Sequence, residues 1–362
     1  MFSQYFKLLC LLLMAWSSLD CVAATLCKRS KAPLFSSNKP LELTIRGDFN
    51  KINNPKTPHF FKNIVHSTGE LRYRHPKSNR EITAQVELSP RGGYRFTKCS
   101  MRPLKIKISK EEKKRIKSIE RNNLFRKVGH KLKVVNLCRI NPTERHIETR
   151  KLLIEYYLYR IVSLLSPITF NARLAQIEYQ TLKGNSYLNS YAIILEPKKI
   201  IAKRCNLNIE PAFWITIDDL GSDPVKIAAD TQSQYWPQES TSSKLQFLLL
   251  NYFIQNGDHD LSERHNTLAL ENKDNKNIYF VPYDFDSSDL VTESPTPESE
   301  LEQWLKELTV NQLAEAHHLM RNIINKQELI FELINNSLLD KTGKAIMRER
   351  IKRSLQTIDR AL

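Results

Sequence analysis

A single amphipathic segment lying between two sets of strands limits how this chain can fold. Asn141 can cap a helix, Pro142 suits its first turn, and Glu144 follows three residues after the cap. Apolar residues recur at Leu153, Tyr157, Ile161 and Leu164/Leu165, and Ser166-Pro167 must end the helix. Strand patterns precede it at 41–46, 71–73, 81–88, 103–108 and 131–137, with a charged excursion at 110–130 that is predicted to be helical. Two more strands, 170–179 and 188–195, form an antiparallel pair around the turn Lys183-Gly184-Asn185. After Glu196-Pro197 the pattern changes. Helices are predicted at 244–254, 300–308, 312–322, 327–334 and 344–362, with one short hairpin at 267–270 and 277–281. The fold class is therefore α+β. A strand-rich half at 25–196 carries one long helix near 142–166, and a mainly helical half occupies 197–362.

The first 24 residues read as a leader. A lysine at position 7, an apolar run over 8–16 and the small residues Val22-Ala23-Ala24 make a secretory signal peptide cleaved after Ala24. The run is short for a membrane span, and no later stretch is apolar enough to cross a bilayer. Asp20 before Cys21 fits a lipobox poorly. The expected location is secreted or periplasmic. Four cysteines then remain, Cys27, Cys99, Cys138 and Cys205, without zinc-like spacing. An even count in an oxidising compartment points to disulfides. Of the three pairings, Cys99 with Cys138 is preferred, because both sit at strand ends in one basic region; buried free thiols are the alternative.

Charge is unevenly spread. The chain of 362 residues carries +16, yet residues 101–160 hold 18 Lys and Arg against 6 acids, and residues 251–310 hold 13 acids against 4 bases. A uniform polyanion binder, such as a nucleic-acid-binding protein, has no need of the acidic segment. A site that binds a metal with acids and phosphates with lysines needs both. The basic block 110–117 reads as a solvated helix face.

The acidic segment contains Asn256-Gly257-Asp258-His259-Asp260, then Arg264-His265-Asn266, then Pro282-Tyr283-Asp284-Phe285-Asp286. Carboxylates and an amide oxygen are hard ligands suited to Mg²⁺ or Mn²⁺. A further Asp can orient a nucleophile. The plainer alternative is an acidic loop followed by a turn in any α/β protein. His259 and His265 flank these acids, which favours hydrogen-bonding roles over zinc binding.

The segments Pro103-Leu104-Lys105-Ile106-Lys107, Lys131-Leu132-Lys133-Val134, Leu153-Ile154-Glu155-Tyr156, Asn256-Gly257-Asp258 and Asp284-Phe285-Asp286 occur in the order found in the spore-coat-protein-H (CotH) kinase-like family. Over residues 40–300 the chain resembles exported bacterial proteins related to that family. The resemblance implies a divergent two-lobed protein-kinase-like fold that moves phosphate from ATP, with Mg²⁺ or Mn²⁺, to a hydroxyl of a protein or small molecule. It implies that Lys105, or Lys107, meets the nucleotide phosphates and pairs with Glu155, or with Glu148 one face over; an ordinary ion pair of Glu155 with Lys151 is the alternative. Glu196 would lie where the lobes join and adenine is read. Asp258 would accept the acceptor's proton, Asn266 and Asp284 would hold the metal, and Asp286 would be an alternative or second ligand. Three features depart from ordinary kinases. Asn266 lies eight residues after Asp258 instead of five, so either the loop bulges or Asp260 is the base. Asp-Phe-Asp replaces Asp-Phe-Gly. Arg91-Gly92-Gly93 is the nearest thing to a Gly-rich loop. Two rival readings stay open: a non-catalytic kinase-like protein binding an acidic envelope polymer or partner, and a metal-dependent phosphoester hydrolase using Asp258, Asp284 and Asp286.

Overall fold

A computed structural model describes residues 27–28, 30–54, 65–92, 94–210, 241–261, 264–292 and 299–362. The leader 1–24 and its cleavage site lie outside these residues. The architecture is mixed α and β. Its first half contains β1 (Leu41–Arg46), α1 (Phe49–Ile52), β2 (Ser67–Arg74), β3 (Glu81–Pro90), α2 (Tyr94–Lys98), β4 (Leu104–Ile108), α3 (Lys110–Ile119) and β5 (Lys131–Val135). Then come α4 (Arg145–Leu165), β6 (Ala172–Gln180), β7 (Ser186–Leu195), α5 (Lys198–Arg204) and β8 (Leu207–Ile209). The second half adds α6 (Thr241–Phe253), β9 (Thr267–Asn272), β10 (Ile278–Pro282), α7 (Asp289–Thr292), α8 (Ser299–Lys306), α9 (Val310–Asn325), α10 (Gln327–Asn335) and α11 (Lys341–Arg360).

The strands of the first half alternate buried and exposed positions, and their apolar face turns inward. Among the described residues they close into a barrel in the order β1-β2-β3-β4-β5-β7-β6. Closure comes from parallel pairing of β1 with β6, Leu41 opposite Ala175 through Arg46 opposite Gln180. The sequence and its family resemblance implied a strand-rich lobe, not a barrel. Gly69 is required where β2 leaves β1: a Cβ there would stand 2.4 Å from the Arg46 carbonyl oxygen.

Two large apolar cores result among the described residues, beside a small cluster of Phe247, Ala269, Ile278 and Phe280. One fills the barrel, with Ile45, Leu71, Ala84, Ile106, Val134, Tyr179 and Ile194. The other is built around α4, whose residues Leu152 to Tyr159 are all buried, and takes in α6, β9, β10, α9, α10 and α11. Strands β5 and β7 serve both: Val134 and Ile194 face the barrel interior, and Val135 and Ile193 face α4. The helix anticipated from 142 begins at Arg145. Asn141 instead shapes the turn before it, where its Oδ1 accepts the Thr143 N–H at 3.3 Å. The disulfides are Cys99–Cys138, the preferred pairing, and Cys27–Cys205. The basic block lies on α3, with only Ile116 of that helix buried. No helix of the described residues is long and apolar enough to cross a membrane.

Candidate functional site

Between the barrel and the helical half lies a cleft of about 1100 Å³. Arg91, Gly92, Arg95 and Lys98 border it from the β3–β4 connection, Glu148, Lys151 and Glu155 from α4, and Asp258, Asn266, Asp284 and Asp286 from below.

The lower wall is built by three short segments tied together through their backbones. In the last turn of α6 lies Asn251, whose buried amide donates to the Phe247 carbonyl and accepts from Asn256 Nδ2 at 2.8 Å. Asn256 is itself buried, so the loop starts from a fixed point. The excursion that follows is closed by the Asp260 N–H donating to the His265 carbonyl at 3.1 Å. This closure resolves the long spacing between Asp258 and Asn266. The two stand side by side, Asn266 Nδ2 donating to the Asp258 carbonyl at 2.8 Å and to its Oδ2 at 3.0 Å. His265 Nε2 lies 3.0 Å from Asp258 Oδ1. Asp258 lines the cleft and Asp260 does not. His259 packs edge-on against Phe247, a structural contact.

The strand end carrying Asp-Phe-Asp is fixed from above and below. The Tyr283 N–H donates to the Asn266 carbonyl at 3.1 Å, and the Asp284 N–H donates to the Tyr159 hydroxyl at 2.9 Å. Phe285 is fully buried against the Tyr159 ring, with centroids 4.6 Å apart. Both Asn266 (φ 48°) and Asp284 (φ 66°) adopt the left-handed conformation, as do Arg264 and Gln255 nearby. Asn and Asp tolerate that region better than most residues, and strain of this kind gathers at functional sites.

The charge pattern in the cleft differs from the pairing that the family resemblance implied. Glu155 does meet a cation, but that cation is Arg95 of α2, not Lys105, Lys107 or Lys151. Arg95 Nη2 lies 2.9 Å from Glu155 Oε2, and its Nε binds Asp286 Oδ2. Lys107 pairs with Glu87 on the open barrel surface, and Lys151 pairs with Glu148. Lys105 stands opposite Lys133 on the β4–β5 ladder and does not reach the cleft lining. Arg95 comes from the β3–β4 connection, which borders the same cleft as Glu155, whereas Lys105 and Lys107 do not line it. Glu196 stands apart from the cleft lining. It is fully buried, accepts from the Asn171 N–H and Nδ2 and from Arg204 Nε, and ties β6 and β7 to α5 outside the cleft.

The electrostatics single out Lys133, which the motif reading had quoted without giving it a role. Burial, with Arg91 and Lys198 adding to it, brings its ammonium down to about 7 against the pull of Asp284. Asp284 is pushed up, by burial first and then by Asp286, while Arg95, Arg91 and Lys133 oppose the shift. Burial also raises Glu155 to about 7; Arg95 opposes this, and Asp286 and Asp284 add to it. Arg95 shows the reverse balance. Burial alone would weaken its charge, but Glu155, Asp286 and Asp284 more than offset it. An arginine stays protonated at any accessible pH, so Glu155 is the partner that yields. Alternation along β5 sets Lys133 on the face opposite Leu132 and Val134, away from the barrel interior, and that pattern gave it no role. Arg95 left no signal, because its loop has no periodicity.

No family model matches the chain and no curated protein matches it, so the likeness to the CotH kinase-like family rests on its motifs. Among solved structures, the chain is similar to the crystal structure of a Helicobacter pylori proinflammatory kinase, CtkA. The two are 12% identical, the alignment covers 64% of this chain and 89% of that one, and the TM-score is 0.38.

Proposed function

We propose that this protein is an exported kinase-like phosphotransferase, which moves phosphate from ATP to a hydroxyl of a protein or small molecule with the help of Mg²⁺ or Mn²⁺. The observation that carries this reading is the meeting of Asp258, Asn266, Asp284 and Asp286 on one wall of a cleft whose other wall presents Arg91, Arg95 and Lys98. Phosphoryl transfer asks little covalent chemistry of a protein. It asks for a positioned base and for positive charge where the transferred group gains negative charge.

Asp258 is the base in this reading. His265 and Asn266 fix its carboxylate, leaving it to accept the acceptor's proton at Oδ1 or Oδ2. Arg91 borders the cleft and would meet the phosphates, and Lys133, near enough to Arg91 and Asp284 to feel both charges, would add to the positive field. Lys133 does so best as a cation, and an incoming phosphate would raise its depressed pKa again. Asp284 and the Asn266 amide oxygen would hold the divalent ion, with Asp286 as a further ligand. The donor chemistry fits: Asn266 gives its Nδ2 to Asp258, which leaves its Oδ1 available, and Asp284 is a half-buried carboxyl close to that of Asp286. Among the described residues no group of three or more His, Cys, Asp or Glu side chains could hold a metal by itself, so the amide and the nucleotide have to supply donors. A bound Mg²⁺ or Mn²⁺ neutralises charge on the phosphates.

The test compares wild type with Asp258→Ala and Asp284→Ala for phosphate transfer from labelled ATP and for nucleotide-induced thermal shift. Asp258→Ala should lose about 10²–10⁴ in rate while keeping its melting temperature and its shift. Asp284→Ala should lose the metal-dependent shift as well. No transfer and no shift for wild type with millimolar nucleotide and either metal would instead favour a non-catalytic envelope-binding protein. The arginine already seated between Glu155 and Asp286 is the feature that favours that second reading.

A further inference from the structure

The connection between β3 and β4 delivers a cation into the carboxylates at the floor of the cleft. α2 is pinned on both sides. Cys99–Cys138 ties its end to the start of the α4 connection, and the Arg91 N–H donates to the Pro103 carbonyl at 2.9 Å across the base of the loop. Between them the Arg102 guanidinium covers the Phe96 ring at 3.9 Å. A helix held this way keeps Arg95 aimed across the cleft, so the guanidinium can leave only by a swing of its own side chain.

Arg95 uses Nε on Asp286 and Nη2 on Glu155, and Asp284 lies within its electrostatic reach. One guanidinium thus answers three carboxyls. A second observation says that Arg95 does not satisfy these carboxyls completely. Glu155 Oε1 is buried and takes no hydrogen bond, although Oε2 of the same group is paired. A half-satisfied buried carboxylate is costly and calls for a cationic or donor partner.

We propose that Arg95 is a resident cation that competes with a divalent ion for Asp286, so that the cleft stays latched against metal until the guanidinium swings off that carboxylate. The proposal rests on the reading above, in which Asp284 and Asp286 hold the metal. The released fork is planar and two-pronged, a shape that matches phosphate as well as carboxylate. The phosphates of an incoming nucleotide therefore give Arg95 a second seat. Metal and nucleotide then bind cooperatively, because each frees or fills a position the other needs.

The test uses full-length oxidised protein and Mn²⁺ alone, with free Mn²⁺ followed by electron paramagnetic resonance. Arg95→Gln should bind one Mn²⁺ about tenfold more tightly than wild type, within the usual range of coupling between two sites. Adding Asp284→Asn should abolish the gain. Equal, Asp284-dependent affinity in wild type and Arg95→Gln overturns the latch and leaves the metal reading standing. Absence of Asp284-dependent binding in either protein overturns both. Should Arg95→Gln fail to fold because Glu155 is left buried without a cation, the double variant Arg95→Gln/Glu155→Gln is compared with Glu155→Gln alone. The same tenfold gain is expected there, and its absence overturns the proposal.

Discussion

Glu155 shows most clearly how position sets the chemistry of a residue. It is 2% exposed, and its carboxyl titrates near 7, mainly because of burial. Its ordinary value is 4.5, so between pH 4.5 and 7 the folded protein holds a proton that the unfolded chain has released. Stability from this group is therefore fully present below the lower value and falls as pH rises through the window. The loss is on the order of 3 kcal/mol for a shift of this size. Thermal melts across pH 4.5–7.5 should show a steeper decline for wild type than for Glu155→Gln. Parallel profiles would mean that Glu155 does not titrate there. At this scale the sequence was informative where function is local. Asp258, Asn266 and Asp284 sit in short motifs that also meet in space. The partner of Glu155 was illegible, because an ion pair between positions 95 and 155 depends on where a loop folds, and the loop has no pattern.

Among the elements, α2 is the one whose placement depends most on a covalent tie. Five residues cannot hold a helix by themselves. Cys99–Cys138 closes a loop with a sequence separation of 39. In the chain-entropy account such a crosslink stabilises by about 4 kcal/mol. Cys99→Ala/Cys138→Ala should lower stability by that order in denaturant titration, and should also loosen Arg95, visible as faster amide exchange at residues 94–98. Faster exchange there with no loss of global stability would confine the disulfide's role to the loop. Elements with a strong local signature were legible. The β6–β7 pair shows it, with its turn at Gly184 (φ +86°), and so does α4 with its apolar run. The barrel was not. Its closing contact joins β1 to β6 in parallel across more than a hundred residues, and alternation within either strand cannot reveal its neighbour. Short elements such as α5 and β8 were also missed, because three to seven residues carry too few repeats of any period.

At the scale of the molecule, the barrel and the helical half share a wall. The ends of β5 and β7, Val134-Val135 and Ile193-Ile194, are apolar on both faces because both faces are covered there. The two cores are therefore expected to unfold together. Ile194→Ala, which empties a position in the barrel core, and Ile193→Ala, which does so on the α4 side, should each cost about 2–5 kcal/mol. Each should move a single transition seen alike by far-ultraviolet circular dichroism and by tyrosine fluorescence. Two separated transitions in either variant would show that the wall does not couple the halves.

Closing the barrel has a further consequence for life in a crowded compartment. A sheet that ends in open strands offers unpaired backbone groups to any other extended chain, which is how many proteins come to clump. Here β1 and β6 satisfy each other, and no strand of the barrel is left at an edge. The smaller sheet, ordered β10-β9-β8, does have edges, and on β10 the Phe280 N–H is already taken by the Ser243 hydroxyl at 2.9 Å. A strand seeking to add itself there finds a side chain of α6 in its way. Strand-to-strand association is thus guarded against along the barrel and at the β10 edge of the smaller sheet.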